Sequence, residues 1–286
     1  SPILSGLVGS EMCIRDRSIG GVIYFAKNYD KAFPALSVDI KMNREMALDA
    51  AEELSKKYNW LPGEYRTAVS FDADRNLQTF VELEGGGLDT FRMLYQDGLY
   101  HPYVWKVRHF QEQNPNEMEI WFTPAGKPYS FRQKLGEDEP GAALGRDSAF
   151  AIAMAGLTDE WSINLDEYEL VEESEKIQPG GRVDHSFTYQ RAGFSIGENG
   201  FLRFNLKVQG DVLGEYNHYA QVPEAFKRRF SEMRSANDTI AFSATMAVGV
   251  LYVLFGCLVG TFMLLRQRRV LWKKAMIWGM VVGLFQ

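Results

Sequence analysis

Leu202-Arg203-Phe204-Asn205-Leu206-Lys207-Val208 alternates apolar and polar side chains along its whole length. Successive side chains on a strand point to opposite faces. This stretch therefore buries Leu202, Phe204, Leu206 and Val208 and leaves Arg203, Asn205 and Lys207 in water. The pattern predicts an antiparallel sheet covered on one face. Working outward, His185, Phe187 and Tyr189 alternate with Ser186 and Thr188, and Gln209-Gly210-Asp211 supplies a turn. Earlier in the chain, Tyr103, Trp105, Val107 and His109 alternate with Val104, Lys106, Arg108 and Phe110. Met118, Ile120 and Phe122 alternate with Glu117, Glu119 and Trp121, and Pro124-Ala125-Gly126 follows as a second hairpin turn.

A helix precedes each group of strands. Ala47, Ala50, Ala51, Leu54 and Tyr58 share one helical face, with Asn43 as N-cap and Glu45 in the first turn. Ala149, Ile152, Ala153 and Gly156 repeat those offsets, with Asp147 or Ser148 as the cap. Gly156 stands where the first copy has Leu54, which predicts a second helix weaker by about 1 kcal/mol. Leu61-Pro62-Gly63-Glu64-Tyr65-Arg66-Thr67-Ala68-Val69 follows the first helix, and Leu165-Asp166-Glu167-Tyr168-Glu169-Leu170-Val171 follows the second. The polar block thus reads as a repeat, residues 29–142 and 143–221, each copy one helix followed by a small antiparallel sheet. The first copy carries an insert at about 77–99, which Gly85-Gly86-Gly87 splits into two short helices. In element order each α+β copy resembles PepSY-like or cystatin-like modules.

No side chain from Ile240 to Leu265 carries a charge. At about 1.5 Å per residue such a helix exceeds the roughly 30 Å hydrocarbon core of a bilayer. Residues 222–239 read as a juxtamembrane helix, with Phe226, Phe230 and Met233 on one face. Arg266, Arg268, Arg269, Lys273 and Lys274 make residues 266–274 a basic loop, cytoplasmic by the positive-inside rule, and place residues 29–239 outside the cytoplasm. Lys227, Arg228, Arg229 and Arg234 oppose that bias at the other end. Residues 275–286 start a second apolar run, as expected of the front piece of a multi-pass protein of a bacterial inner membrane. Glu11-Met12-Cys13-Ile14-Arg15-Asp16-Arg17-Ser18 resembles a translated sequencing adapter, so residues 1–18 are set apart as an artefact leader. Residues 19–28 read as the stump of a first transmembrane helix.

A net charge of −6 argues against nucleic-acid binding, which needs a basic patch. The two cysteines, Cys13 and Cys257, lie in the leader and the apolar run and are not expected to pair. His101, His109, His185 and His218 show no metal-ligand spacing, and His109 and His185 take structural strand positions. Glu52-Glu53 reads as the solvated face of a helix, and Glu172-Glu173 as following a strand. Trp60, Trp105, Trp121 and Trp161 are expected in the core, the competing reading being a peptide- or lipid-binding groove. Gly256 and Gly260 form a Gly-x-x-x-Gly pair suited to helix packing, and Asn237-Asp238-Thr239 matches a glycosylation acceptor. No residue is assigned as catalytic, cofactor-binding or metal-binding.

Five stretches in order carry a family resemblance: Lys31-Ala32-Phe33-Pro34, Trp105-Lys106-Val107-Arg108, Asp184-His185-Ser186-Phe187-Thr188-Tyr189, Val208-Gln209-Gly210-Asp211 and Val222-Pro223-Glu224-Ala225-Phe226-Lys227-Arg228-Arg229. With the apolar run that follows, they resemble the N-terminal part of bacterial CPBP-family (CAAX-protease and bacteriocin-processing) intramembrane metalloproteases. The resemblance implies an extracytoplasmic region ahead of a catalytic membrane bundle, a lipid bilayer as surroundings and a peptide or protein substrate. The family's Glu-Glu-x-x-x-Arg motif has no counterpart here: Glu52-Glu53 is followed by Lys57 and Glu172-Glu173 by Ile177. The resemblance therefore implies that the catalytic glutamates and a divalent metal, zinc, belong to sequence beyond Gln286. A membrane-anchored sensor or binding module without enzymatic activity is the alternative. Purified chain of residues 1–286, supplied with zinc and an unfolded peptide substrate, is expected to release no cleavage product in a mass-spectrometric assay.

Overall fold

The computed structural model describes residues 18–19, 21–27, 29, 38–60, 63–157, 159–161, 163–267, 274 and 276–280. Residues 1–17 of the leader, Cys13 among them, and most of the 266–274 loop and of the run after it lie outside the described residues. The chain divides into two compact units, Ser1–Pro223 and Glu224–Gln286.

The first unit is α+β. Its helices are α1 (Arg44–Lys57), α2 (Arg75–Glu84), α3 (Gly87–Gln96) and α4 (Arg146–Ala155). Its strands are β1 (Arg66–Ala73), β2 (Tyr103–Phe110), β3 (Glu117–Phe122), β4 (Pro128–Lys134), β5 (Tyr168–Ile177), β6 (Val183–Arg191), β7 (Phe201–Gln209) and β8 (Val212–Gln221). All eight form one antiparallel sheet in the order β1-β2-β3-β4-β8-β7-β6-β5. The expectation of two small sheets is corrected. They are fused along a seam where Phe131 pairs with Tyr216 and Arg132 with Glu215. Neither β4 nor β8 alternates cleanly, because Pro128, Ser130, Gly214 and Asn217 interrupt them, and so neither announces itself in sequence.

Asn43 caps α1 as expected, its side chain accepting from the Met46 amide at 2.9 Å. Neither Asp147 nor Ser148 caps α4; Gly145 holds that position without a side-chain bond, and Asp147 lies in the first turn. Gly156 is the C-cap of α4 rather than an interior residue, so the expected loss of helix propensity does not arise. A Cβ there would come within 2.4 Å of the Leu213 side chain, so close packing on β8 requires a glycine. Gly85 and Gly86 separate α2 from α3, and Gly86 takes a left-handed φ of 101°.

One face of the sheet is covered. Ala47, Ala51 and Leu54 of α1 and Ala149 and Ala153 of α4 pack with Val107, Ile120, Phe131, Phe187, Phe204, Leu206 and Val208 in a single core. Small side chains let both helices approach closely, and each fully buried large apolar side chain contributes roughly 1.5–3 kcal/mol. The opposite face is a charged ladder. Lys106 pairs with Glu119 at 2.5 Å and Arg108 with Glu117 at 2.6 Å. Arg132 spans the seam from Glu119 to Glu215 at 3.7 and 3.5 Å. Trp121 sits on this face between the Lys106 and Arg132 cations rather than in the core, because its neighbour Ile120 takes the inward position.

The segment joining β4 to α4 is fixed by a buried ion pair. Arg182 donates to Asp184 at 2.8 Å, and both side chains are almost wholly inaccessible. The Arg182 guanidinium also donates to the Glu139 carbonyl at 3.0 Å, and Gln178 donates to Asp184 at 2.6 Å. His185 donates to the Leu144 carbonyl at 2.8 Å.

In the second unit, α5 (Glu224–Leu251) continues through a π-helical stretch, Tyr252–Val259, into α6 (Gly260–Arg266). The juxtamembrane and apolar segments are thus one helical run, Glu224–Arg266, long and apolar enough to cross a membrane. Thr239, Ser243 and Thr245 return their hydroxyls to carbonyls four residues back, which hides those groups from an apolar surrounding.

Burial acts to raise the Asp184 carboxyl, but Arg182, Gln178 and Lys207 outweigh it and hold it below the usual value. A depressed carboxylate adds stability that is present above its unfolded pKa and lost as pH falls through the folded one. Asp184→Ala strands the Arg182 charge and is expected to cost about 3–5 kcal/mol in denaturant unfolding at pH 7. Asp184→Asn should flatten the loss of stability below about pH 4.

Candidate functional site

The seam is short. Beyond Phe131↔Tyr216 the two strands are joined by side chains instead of backbone rungs. The His218 amide donates to the Ser130 hydroxyl at 3.1 Å, and His218 Nδ1 lies 3.1 Å from the Tyr129 carbonyl. A carbonyl only accepts, so Nδ1 carries the proton and Nε2 is bare. The Tyr216 hydroxyl, 3.2 Å away, donates to Nε2.

Three rings close this end of the seam. Tyr129 stacks on His218 with centroids 4.6 Å apart, and His101 meets Tyr129 edge-on at 5.0 Å. The loop between α3 and β2 delivers His101. Its neighbour Tyr100 donates to Asp74 at 3.0 Å, and the same carboxylate caps α2 through the Leu77 amide. The α2–α3 insert also touches the β6–β7 connection, where a Cβ on Gly200 would meet the Phe80 ring at 2.6 Å. The insert therefore contacts both four-strand halves at the open end of the seam.

Two clefts flank these rings and share His101, Tyr129 and His218. The first, about 300 Å³, adds Trp161, Glu167, Tyr168, Arg191 and Tyr216 from the helix-covered face. The second, about 190 Å³, adds Asp72, Asp74, Tyr100, Trp121 and Asn217 from the charged face. The first is of the size that takes a small ligand. Its charges cancel, since Arg191 pairs with Glu167 at 2.5 Å and lies over the Tyr168 ring. Glu160 is held by Lys57 at 2.6 Å and by the Tyr58 hydroxyl. The Trp161 indole N–H is buried without an acceptor among the described residues. Burial of such a donor is costly unless something accepts from it.

Burial pushes the His218 imidazole down to about 4 and the Tyr129 and Tyr216 phenols well above their usual range. Burial also lowers His101 and, with Asp74, raises Tyr100. At neutral pH the His101, His218, Tyr129 and Tyr216 rings are uncharged, and both His218 nitrogens are engaged. The arrangement suits hydrogen bonding and aromatic contact rather than proton transfer.

Of the four histidines, only His101 and His218 come together, through Tyr129. His109 and His185 are buried on strands, His109 against the Thr67 hydroxyl at 3.0 Å and His185 on Leu144. Among the described residues no group of three or more His, Cys, Asp or Glu side chains is placed to hold a metal ion. Glu52 pairs with Lys56 on the exposed face of α1. Glu172 and Glu173 lie inside β5 rather than after a strand, with Glu173 bound by Arg146 at 2.6 Å. Trp60 and Trp161 are both buried against Phe131 and lie 6.3 Å from each other, and Trp105 is half-buried under Phe71. Cys257 is a free, exposed thiol. The seam site itself was missed. Its one trace in sequence is Tyr216 and His218 two positions apart, which places both on one strand face. Comparison with protein-family models, curated protein sequences and solved structures returns no match.

A group whose folded pKa lies below its unfolded value binds fewer protons in the native state, so stability falls as pH drops between the two. For His218 that window runs from about 6.5 down to about 4. The resulting loss, of order 3 kcal/mol, should appear as a wild-type minus His218→Asn difference in denaturant unfolding measured across that range.

Proposed function

We propose that the first unit is a ligand-binding module held at a membrane by the helix Glu224–Arg266, with the seam clefts as its ligand site. One observation carries this reading. β8, which supplies Tyr216 and His218, ends at Gln221, and only Val222 and Pro223 separate it from α5. A ligand that shifts the Tyr129–His218 contact acts on the last strand before the anchor. The neutral imidazole, the aromatic walls and the buried Trp161 donor favour a small, flat, uncharged ligand with a hydrogen-bond acceptor.

The two helix-plus-four-strand halves are taken as copies of one PepSY- or cystatin-like unit. A helix precedes each set of four strands, the strand order reads the same from either edge, and Trp60 from one half and Trp161 from the other both pack on Phe131. In the wider protein, the resemblance to CPBP-family sequences supports a place ahead of a multi-pass metallo-endopeptidase bundle. There the module lies outside the cytoplasm and responds to, or recruits, what the bundle cleaves. The basic residues from Arg266 onward support that orientation.

Native mass spectrometry of the full chain, released from its membrane in mild detergent, is expected to show a small-molecule adduct. Trp161→Phe, which keeps an aromatic ring and removes the donor, should lose it. A folded chain without an adduct, or an adduct indifferent to Trp161→Phe and His218→Asn, would count against the seam as a ligand site. In a Cys13→Ser, Cys257→Ser background, Ser174→Cys should react with an impermeant maleimide on intact cells, and Gln267→Cys only after permeabilisation. The reverse pattern would overturn the orientation.

A further inference from the structure

The sheet has two edges, and the sequence treats them differently. β5 is guarded. It carries Glu169, Glu172, Glu173 and Glu175, and its register with β6 shifts between Leu170 and Glu172. Two such strands laid side by side would set carboxylates against carboxylates, which is how proteins keep an edge from pairing.

β1 has none of these devices. Thr67-Ala68-Val69-Ser70-Phe71 lies between one cation, Arg66, and one anion, Asp72. It pairs with β2 from Arg66 to Ala73 without a register shift, and every residue except the half-buried Val69 is exposed. Among the described residues, no backbone hydrogen bond to residues 67–73 comes from outside β2. An edge of this kind is a template for another strand.

We propose that β1 pairs antiparallel with β1 of a second copy of this chain, about a two-fold axis through Val69. The charge pattern selects this occupant and this register. With Val69 opposite the partner's Val69, Arg66 falls opposite the partner's Asp72 at both ends, Thr67 opposite the partner's Phe71, and Ala68 opposite the partner's Ser70. Asp72 has no ion pair of its own among the described residues. Among the described residues Arg66 pairs only with Glu112, through side chains that are 68% and 66% exposed, and such a pair is exchanged at little cost. Val69 and Thr67 face the helix-covered side, where Val69 packs on the core and Thr67 bonds His109. Phe71 is on the same side, its ring 5.1 Å from Trp105. Pairing would therefore extend the covered layer from one copy into the next and bury the exposed flank of Phe71 twice. An interface that uses the same patch on both subunits is closed, so assembly stops at two.

The test uses the full chain with Cys13→Ser and Cys257→Ser, in detergent micelles or lipid nanodiscs. Val69→Cys is expected to form an intermolecular disulfide on mild oxidation, and Ser174→Cys on the guarded edge is not. Arg66→Asp or Asp72→Arg alone should weaken the dimer about tenfold in sedimentation, and the double variant should restore it to within about threefold. Circular dichroism on each variant reports that the chain as a whole is still folded. A folded monomer whose Val69→Cys thiol labels freely but does not cross-link would overturn the proposal. So would a dimer indifferent to both charge swaps, which would place association in the Gly256–Gly260 helix. A β1 protected only in the presence of a different protein would overturn it as well, since the edge would then serve a foreign strand.

Discussion

Phe131 and Arg132 pair with Tyr216 and Glu215, and on those two rungs two four-stranded sheets become one. So short a junction does not hold on backbone hydrogen bonds alone, since each is worth only about 1 kcal/mol net. It is supported on both faces and at one end. On the covered face, Phe131 lies against Trp60 and Trp161 at centroid distances of 4.9 Å each. On the charged face, Arg132 reaches carboxylates on β3 and β8. At the far end of β4, the segment leading to α4 is tied to Arg182. The order of importance follows from burial. The aromatic contacts and the Arg182–Asp184 pair are out of water, whereas the Arg132 bridges are partly exposed and contribute little.

The seam's shortness is also what opens the two clefts beside it. A complete ladder between β4 and β8 would have left no room for clefts on either side. Instead the strands part above Phe131, and the gap is bridged by the Ser130 hydroxyl, which accepts from the His218 amide, and by the His218 ring, which donates to the Tyr129 carbonyl. A neutral imidazole fits here because the Tyr129 carbonyl and the Tyr216 hydroxyl between them define both of its nitrogens. Protonation would require a second acceptor at Nε2, which Tyr216 can supply only by giving up its role as donor.

Much of the sheet was legible because β2, β3, β6 and β7 are central strands with one dry face, and period-two patterning follows from that. β7 shows it best, with Leu202, Phe204, Leu206 and Val208 all buried. The cap at Asn43 was legible for a local reason: its side chain bonds an amide three residues on. β4 and β8 were not legible, since their pattern serves a junction between halves far apart in sequence. Ser130 and His218 are polar on strands because they bond each other across the gap, and no window of neighbouring residues contains that fact. Gly156 was misread for the same reason, because what demands a glycine there is Leu213 of β8. The site followed the seam. His218 has no motif around it, Tyr129 stands at the start of β4, and His101 and Trp161 come from two separate connections.

The strand order has a consequence for how the chain is made. Within each half every strand pairs with its neighbour in sequence, so each meander closes local loops, the longest being the α2–α3 insert between β1 and β2, and can form early. The seam is different, because it joins the last strand of the first half to the last strand of the second. During synthesis, β1 to β4 emerge first, and β4 then stands as an outer strand, with Tyr129 and Phe131 covered only by first-half residues such as His101 and Trp60. It stays so until β8, the final element before the apolar helix, has left the ribosome. The half-made protein therefore carries an aromatic edge that the finished one does not, and its exposure lasts as long as the second half takes to translate.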